Sequence, residues 1–196
     1  EGGEHADECF AAGQKWGFPP WQSQRLRESG YDYLIQAYRS ALSFARAIRI
    51  DHMLGLHRMF WVPPGGSAKD GVYVRYRDDE LRAVILIEAA RSGAVVIGED
   101  LGTVTPSILQ AMDRDGMLHS FVTRFEADEK DPLPQPRKPC AASLGSHDLP
   151  KFAEYWADEG PLGEDDPRAG MPVAKALEQS LLSLAEGPAN VVFADL

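Results

Sequence analysis

Two rhythms of apolar positions organise this chain. Leu34, Ile35, Tyr38, Ala41, Leu42 and Ala45 recur at steps of three and four residues, which predicts a helix with one apolar stripe. Residues 79–92 repeat the rhythm with Leu81, Val84, Ile85 and Ala89 on one face, and Gly93 follows as a C-terminal stop. Thr105-Pro106 opens another helix as a capping residue followed by proline at the first helical position, and Gly116 ends it. Further helices are predicted at 150–158 and 173–185. Between them lie short apolar runs without alternation, at 47–50, 94–97, 120–125, 141–144 and 191–193, as suits strands covered on both faces. Residues 57–78 read as irregular around Pro63-Pro64-Gly65-Gly66, with a short extended piece at Gly71-Val72-Tyr73-Val74. Residues 128–139 read as a polar, proline-rich surface loop and 160–170 as an acidic, turn-rich segment. Residues 1–30 carry Gly, Pro and Trp without period, as a loop-rich segment does. Five strands alternating with helices predict an α/β fold with a parallel sheet of βα units, either part of a (β/α)8 barrel or an open doubly wound sheet.

Candidate chemistry sits where the strands end. Asp51, Glu99 and Asp148 each follow an apolar run, at nearly equal intervals along the chain. In α/β architectures residues at the carboxyl ends of strands converge on one site. Carboxylates that meet there suit glycosidic bond cleavage, one acting as nucleophile and another as acid and base. Arg49 stands two positions before Asp51 on the same strand, so both side chains project to one face and the guanidinium would hold the carboxylate ionised. Alone, an Arg-x-Asp reads as an ordinary ion pair. Gly98-Glu99-Asp100-Leu101-Gly102 puts two acids on a glycine-flanked turn where a ligand can approach closely, although acids at a helix start are also common caps. Ser146-His147-Asp148 is no Ser/His/Asp triad, because three chain neighbours on one turn cannot relay hydrogen bonds and no Gly-x-Ser-x-Gly elbow occurs. A metal is not expected: His5, Asp7, Glu8 and Cys9 lack ligand spacing on a regular element, and His52 and His147 suit hydrogen bonds to sugar hydroxyls better. Trp16, Trp21, Tyr38, Phe60, Trp61, Tyr73, Tyr76, Tyr155 and Trp156 are available for stacking on sugar rings, with most of them expected in packing.

Composition narrows the partners. With 30 Asp+Glu against 20 Lys+Arg, the formal charge of −10 disfavours nucleic acid and anionic membranes, both of which reward basic surface. Neutral sugars remain open. The length of 196 residues suits one domain or part of one. Cys9 and Cys140 form no CxxC pair or secreted-type framework, which is the usage of a reducing cytoplasm. No apolar run reaches the length of a membrane span, and the opening Glu1-Gly2-Gly3-Glu4-His5 has neither a signal peptide's regions nor an initiator Met. The expectation is a piece of a longer polypeptide whose remaining N-terminal part is its partner.

Five motifs in order carry a resemblance. Gly13-Gln14-Lys15-Trp16-Gly17, Arg49-Ile50-Asp51-His52, Gly71-Val72-Tyr73-Val74-Arg75-Tyr76, Gly98-Glu99-Asp100-Leu101-Gly102-Thr103-Val104 and Ser146-His147-Asp148-Leu149-Pro150 resemble the signatures of bacterial 4-α-glucanotransferases. These are the amylomaltases, glycoside hydrolase family 77 of the α-amylase clan. The resemblance implies a (β/α)8 TIM barrel, here an incomplete one covering strands four to eight, with residues 1–30 as a substrate-covering segment and 31–196 as βα units. It implies Asp51 as nucleophile, Glu99 as general acid and base, and Asp148 as stabiliser of the transition state. By the same likeness Arg49, His52, His147 and Asp100 contact substrate, and Gln14 and Trp16 lie in the loop over bound glucan. The implied substrates are maltooligosaccharides or α-1,4-glucans, with no cofactor. Phe18 departs from the Asn many members carry before Pro19, and Met53-Leu54-Gly55 departs from the Phe-Arg-Gly of one branch, which bears on acceptor preference. Two rival readings use the same residues: an α-amylase-like hydrolase, and a sugar-binding fragment without activity if the chain is complete.

Overall fold

A computed structural model describes residues 1–4, 12–102, 104–136, 139–160, 163 and 165–193. The chain forms two compact units, Glu1–Met117 and Leu118–Leu196. In chain order the first unit holds β1 (Gly2–Glu4), β2 (Gln14–Lys15), α1 (Ser23–Glu28), α2 (Asp32–Leu42), β3 (Ala47–Ile50), α3 (Leu54–His57), β4 (Arg58–Trp61), β5 (Val72–Arg75), α4 (Asp78–Ser92), β6 (Val95–Gly98) and α5 (Pro106–Asp115). The second holds β7 (His119–Val122), α6 (Thr123–Glu126), β8 (Cys140–Ser143), α7 (Phe152–Asp158), α8 (Val173–Glu186) and β9 (Val191–Phe193).

The five predicted strand positions are all occupied, and all pair in parallel. They are divided between two ladders, one in each unit: β3 with β6, and β7-β8-β9 in that order. A single contiguous sheet was the expectation from alternation, which sets strand direction and neighbour order but not the partner of every edge. Within each ladder neighbours follow chain order.

In the first unit α2 and α4 supply the apolar layer. Leu34, Leu42, Leu81, Ile85 and Ala89 join Ile50 and Val96 from the strands and Ile108 and Met112 from α5 in one buried cluster. Gly93 and Gly116 close α4 and α5 in the left-handed conformation, with φ of 66° and 70°. Both stops therefore stand where the sequence placed them. Thr105 is the residue before α5, but its hydroxyl meets Ser107 Oγ at 3.0 Å and makes no side-chain cap to the helix backbone. Proline at the first helical position starts the helix, since its fixed φ is already helical.

Two buried polar side chains of α4 are paired with charged partners. Glu88 on α4 accepts Arg39 Nε of α2 at 2.7 Å and Arg91 Nη1 at 2.6 Å. Arg82 pairs with Asp78 and, at 2.7 Å, with Asp115. These explain why α4 buries Arg82 and Glu88 beside its apolar stripe.

Residues 57–78, expected to be irregular, supply two strands, β4 and β5, of an antiparallel sheet of order β2-β1-β4-β5. Only the piece at β5 was legible. Arg58-Met59-Phe60-Trp61 gives no clean alternation, and the pairing partners Gly2 and Gly3 carry no side-chain signal at all. The strand expected at 120–125 ends at Val122, and Thr123–Glu126 is a helical turn. An apolar run cannot distinguish the two. In the second unit Cys140, Ala142, Leu144, Phe152, Tyr155, Ala176 and Leu184 form the core. Asp166, Arg168 and Ser180 are buried there as a hydrogen-bonded group, with Arg168 Nη2 2.8 Å from Asp166 Oδ2 and Nη1 3.0 Å from Ser180 Oγ.

Candidate active site

Seven predicted site residues, Asp100 among them, fall in the first unit. The ladder between β3 and β6 ends with Ile50 opposite Gly98. Asp51 and Glu99 are the next residue on each strand, and the Glu99 N–H still donates to the Ile50 carbonyl at 2.8 Å. Neighbouring strands lie about 4.8 Å apart, so register alone brings the two acids together. Arg49, two residues back on β3, forms an ion pair with the Asp51 carboxylate. That pair is open to solvent, the Asp51 side chain being 62% exposed, as a group that must meet a substrate has to be.

Glu99 is held more closely. Its Oε2 accepts the His52 N–H at 2.9 Å and its Oε1 accepts the Leu101 N–H at 2.8 Å, while its backbone carbonyl accepts the Met53 N–H at 2.9 Å. Both carboxylate oxygens are thus oriented by backbone donors from the two strand-end turns. Gly98 is required beneath them. A Cβ at that position would lie 2.6 Å from Met112 Cε and 2.7 Å from Met53 Cγ.

His52 adopts a left-handed backbone with φ of 53°. Its imidazole meets the edge of Trp16 at 5.1 Å between centroids and 79° between planes. Trp16 Nε1–H donates to Gln14 Oε1 at 2.9 Å, and the indole stacks on Phe18 at 5.8 Å. The segment expected to be loop begins as β2, paired antiparallel to β1 through Gly3 opposite Lys15. Trp16 therefore reaches His52 from a fixed strand end, its indole N–H held by Gln14. Asp100 follows Glu99 half-buried.

His147 and Asp148 lie in the second unit, just past β8. Both are exposed, with His147 Nε2 3.5 Å from Asp148 Oδ2. Ser146 shapes the turn: its carbonyl accepts the Leu149 N–H at 3.1 Å and its hydroxyl accepts the Asp148 N–H at 3.3 Å. Beside it a cavity of about 200 Å³ is lined by residues that include Arg124, Leu144, His147, Lys151 and Phe152. Arg124 was missed by sequence reasoning. It stands on the turn after β7, at a strand end like the acids, with its guanidinium 4.1 Å over the Tyr155 ring and donating to the Pro150 carbonyl at 3.3 Å. The strand reading of 120–125 hid it, because that reading left no strand-end turn at 123–126. Tyr76, Phe60 and Tyr155, among the aromatics available for stacking, are buried in cores instead.

Among the described residues no group of three or more His, Cys, Asp and Glu is placed to hold a metal ion. The cluster of His5, Asp7, Glu8 and Cys9 lies outside the described residues. Cys140 is buried, and no helix among the described residues is long and apolar enough to cross a membrane.

βα units with a carboxylate at the end of each of two paired parallel strands define an α/β protein with a candidate site at its strand ends. The particular family follows from comparison. A model of glycoside hydrolase family 77, the 4-alpha-glucanotransferases, matches residues 1–186, and the chain belongs to that family. It is 40% identical over 164 residues to a 4-alpha-glucanotransferase of Mycobacterium tuberculosis, an alignment covering 80% of this chain and 23% of that protein. With the 4-alpha-glucanotransferase of Haemophilus influenzae it shares 34% over 158 residues, 79% of this chain and 22% of the other. The crystal structure of amylomaltase from Corynebacterium glutamicum superposes with a TM-score of 0.85 at 27% identity, over 98% of this chain and 34% of that one. Amylomaltase from Streptococcus agalactiae, solved with acarbose, gives 0.79 at 20% identity over 98% and 40%, a likeness of fold. The chain spans less than a quarter of the length of these curated relatives.

Proposed function

We propose that this chain carries the catalytic acids of a 4-α-glucanotransferase that moves α-1,4-glucan segments between maltooligosaccharides with retention of configuration. The observation that carries the reading is the register of Asp51 and Glu99, one step past the paired ends of β3 and β6, with a cation on the first and backbone donors on the second. On this reading the five parallel strands are the fourth to eighth of a (β/α)8 barrel, and 1–196 is part of one catalytic domain.

The Asp51 carboxylate attacks the anomeric carbon of the donor while Glu99 gives its proton to the departing glycosidic oxygen. The C1–O bond breaks and an ester to Asp51 forms. Glu99, now ionised, takes the proton of an incoming sugar 4-hydroxyl, whose oxygen displaces Asp51 from the same carbon. Two inversions retain the α configuration, and the proton count closes without a cofactor. Arg49 keeps the Asp51 carboxylate oriented, and Asp148 stabilises positive charge as it grows on the ring. His52, His147 and Asp100 bind sugar hydroxyls. Gln14 and Trp16 cover the bound glucan, and an acceptor held under them excludes water from the intermediate. The unframed cysteines support a cytoplasmic setting.

Maltotriose given alone to the full-length enzyme tests this reading. Glucose together with a ladder of longer maltodextrins is expected on chromatography. Glucose and maltose with no longer product would replace transfer by hydrolysis.

A further inference from the structure

His52 holds a backbone conformation that L residues other than Asn, Asp and His seldom adopt. Its φ of 53° stands in the turn between β3 and α3, where no glycine is used. The conformation has a visible result. The consecutive N–H groups of His52 and Met53 turn toward the same residue, the first donating to Glu99 Oε2 and the second to the Glu99 carbonyl, both at 2.9 Å. The imidazole is lodged as well. Trp16 meets it edge-on, and Gly55 leaves the space behind it, where a Cβ would sit 3.1 Å from His52 Cδ2.

We propose that His52 is a positioning residue for Glu99, acting through its left-handed backbone, with Trp16 and Gly55 holding the side chain that keeps it there. This rests on the reading of Glu99 as general acid. An acid delivers its proton only when its oxygen lies on the line to the leaving group, and a carboxylate held by one amide in place of two swings away from that line. Loss of the His52 N–H bond therefore costs most where the leaving group most needs a proton.

The experiment compares kcat/KM of the full-length enzyme for two donors, maltotriose and α-glucosyl fluoride, whose fluoride leaves with little protonation. Glu99→Gln sets the scale, lowering the maltotriose-to-fluoride ratio by about 10²–10⁴-fold. His52→Ala, His52→Gly and His52→Asn all remove the imidazole and differ in their tolerance of positive φ. His52→Ala should lower the ratio about tenfold, the factor that corresponds to the left-handed penalty of an ordinary residue. His52→Gly and His52→Asn should keep it within about twofold, even as all three lose the sugar contact of the ring and raise KM for both donors. Equal losses of the ratio in all three, a loss in His52→Gly and His52→Asn, or no loss in His52→Ala would overturn the inference. Should His52→Ala fail to fold, the other two decide. An unchanged ratio in Glu99→Gln would instead remove the acid role itself, so the two failures are distinct.

Discussion

Asp51 and Arg49 form an ion pair of a kind that does little for stability. Both side chains are partly open to water, 62% and 34% exposed, and such pairs are worth about 0–1 kcal/mol. If the pair serves the reaction, its loss should separate the two properties. Arg49→Met is expected to change unfolding stability by less than about 1 kcal/mol. Loss of a hydrogen bond to a charged group, about 1.5–3 kcal/mol, corresponds to roughly a ten- to hundredfold fall in kcat/KM. Thermal unfolding and initial rates on the same preparation check this, and a parallel loss of both would make the pair structural. The strand-end positions of Asp51 and Glu99 were legible because an acid after an unalternating apolar run is a local signal. The backbone donors on Glu99 were not, since the conformation of His52 that supplies one of them follows from packing against Trp16 and Gly55. Arg124 was hidden for a related reason: Val122, Thr123 and Phe125 read as strand, and the turn that carries Arg124 is held by tertiary bonds such as Thr123 Oγ1 to the Ser143 carbonyl at 3.2 Å.

At the scale of elements, the turn after β6 depends on a missing side chain. Gly98→Ala would press a methyl against Met53 Cγ and Met112 Cε at 2.7 and 2.6 Å. Overpacking of this kind costs about 1–3 kcal/mol. Met53 carries an amide that holds Glu99, so activity should fall along with stability. Chemical denaturation and rates on Gly98→Ala test both. A second dependence joins α2 to α4. The hydrogen bond from Arg39 holds the Glu88 carboxyl below the ordinary glutamate range, burial opposing it and Arg91 adding to it. A depressed value in the folded state contributes stability at pH above the unfolded value, and that contribution is lost as pH falls through the folded one. The melting temperature should therefore drop more steeply below about pH 4.3 in the natural protein than in Glu88→Gln, which should already be weaker by about 1–2 kcal/mol at neutral pH. Parallel melting curves would contradict this. The helices themselves were readable from periodicity and from Gly93 and Gly116. The β2-β1-β4-β5 sheet was not, because its pairing joins Gly2 and Gly3 to Phe60 and Trp61 and long-range pairing of glycines leaves no local trace.

For the whole molecule, alternation of strands and helices gave an α/β fold and parallel strands, while the division into two ladders needed three dimensions. Membership of the 4-alpha-glucanotransferase family rests on nearly the full chain, residues 1–186. Its net charge of −10 neither attracts nor repels a neutral glucan. Long-range steering acts on charged ligands and is removed by salt. Hence kcat/KM for maltotriose should change by less than about twofold between 50 and 500 mM salt. A steep salt dependence would point to a charged substrate. The central claim is that Asp51 becomes covalently bound to the transferred sugar, and trapping tests it directly. The full-length enzyme would be treated with 5-fluoro-α-glucosyl fluoride, whose good leaving group forms the ester and whose ring fluorine slows its turnover. Peptide mapping by mass spectrometry should then place one glucosyl group on Asp51. A label on Glu99 or Asp148, or transfer activity lost with no label anywhere, would contradict the account.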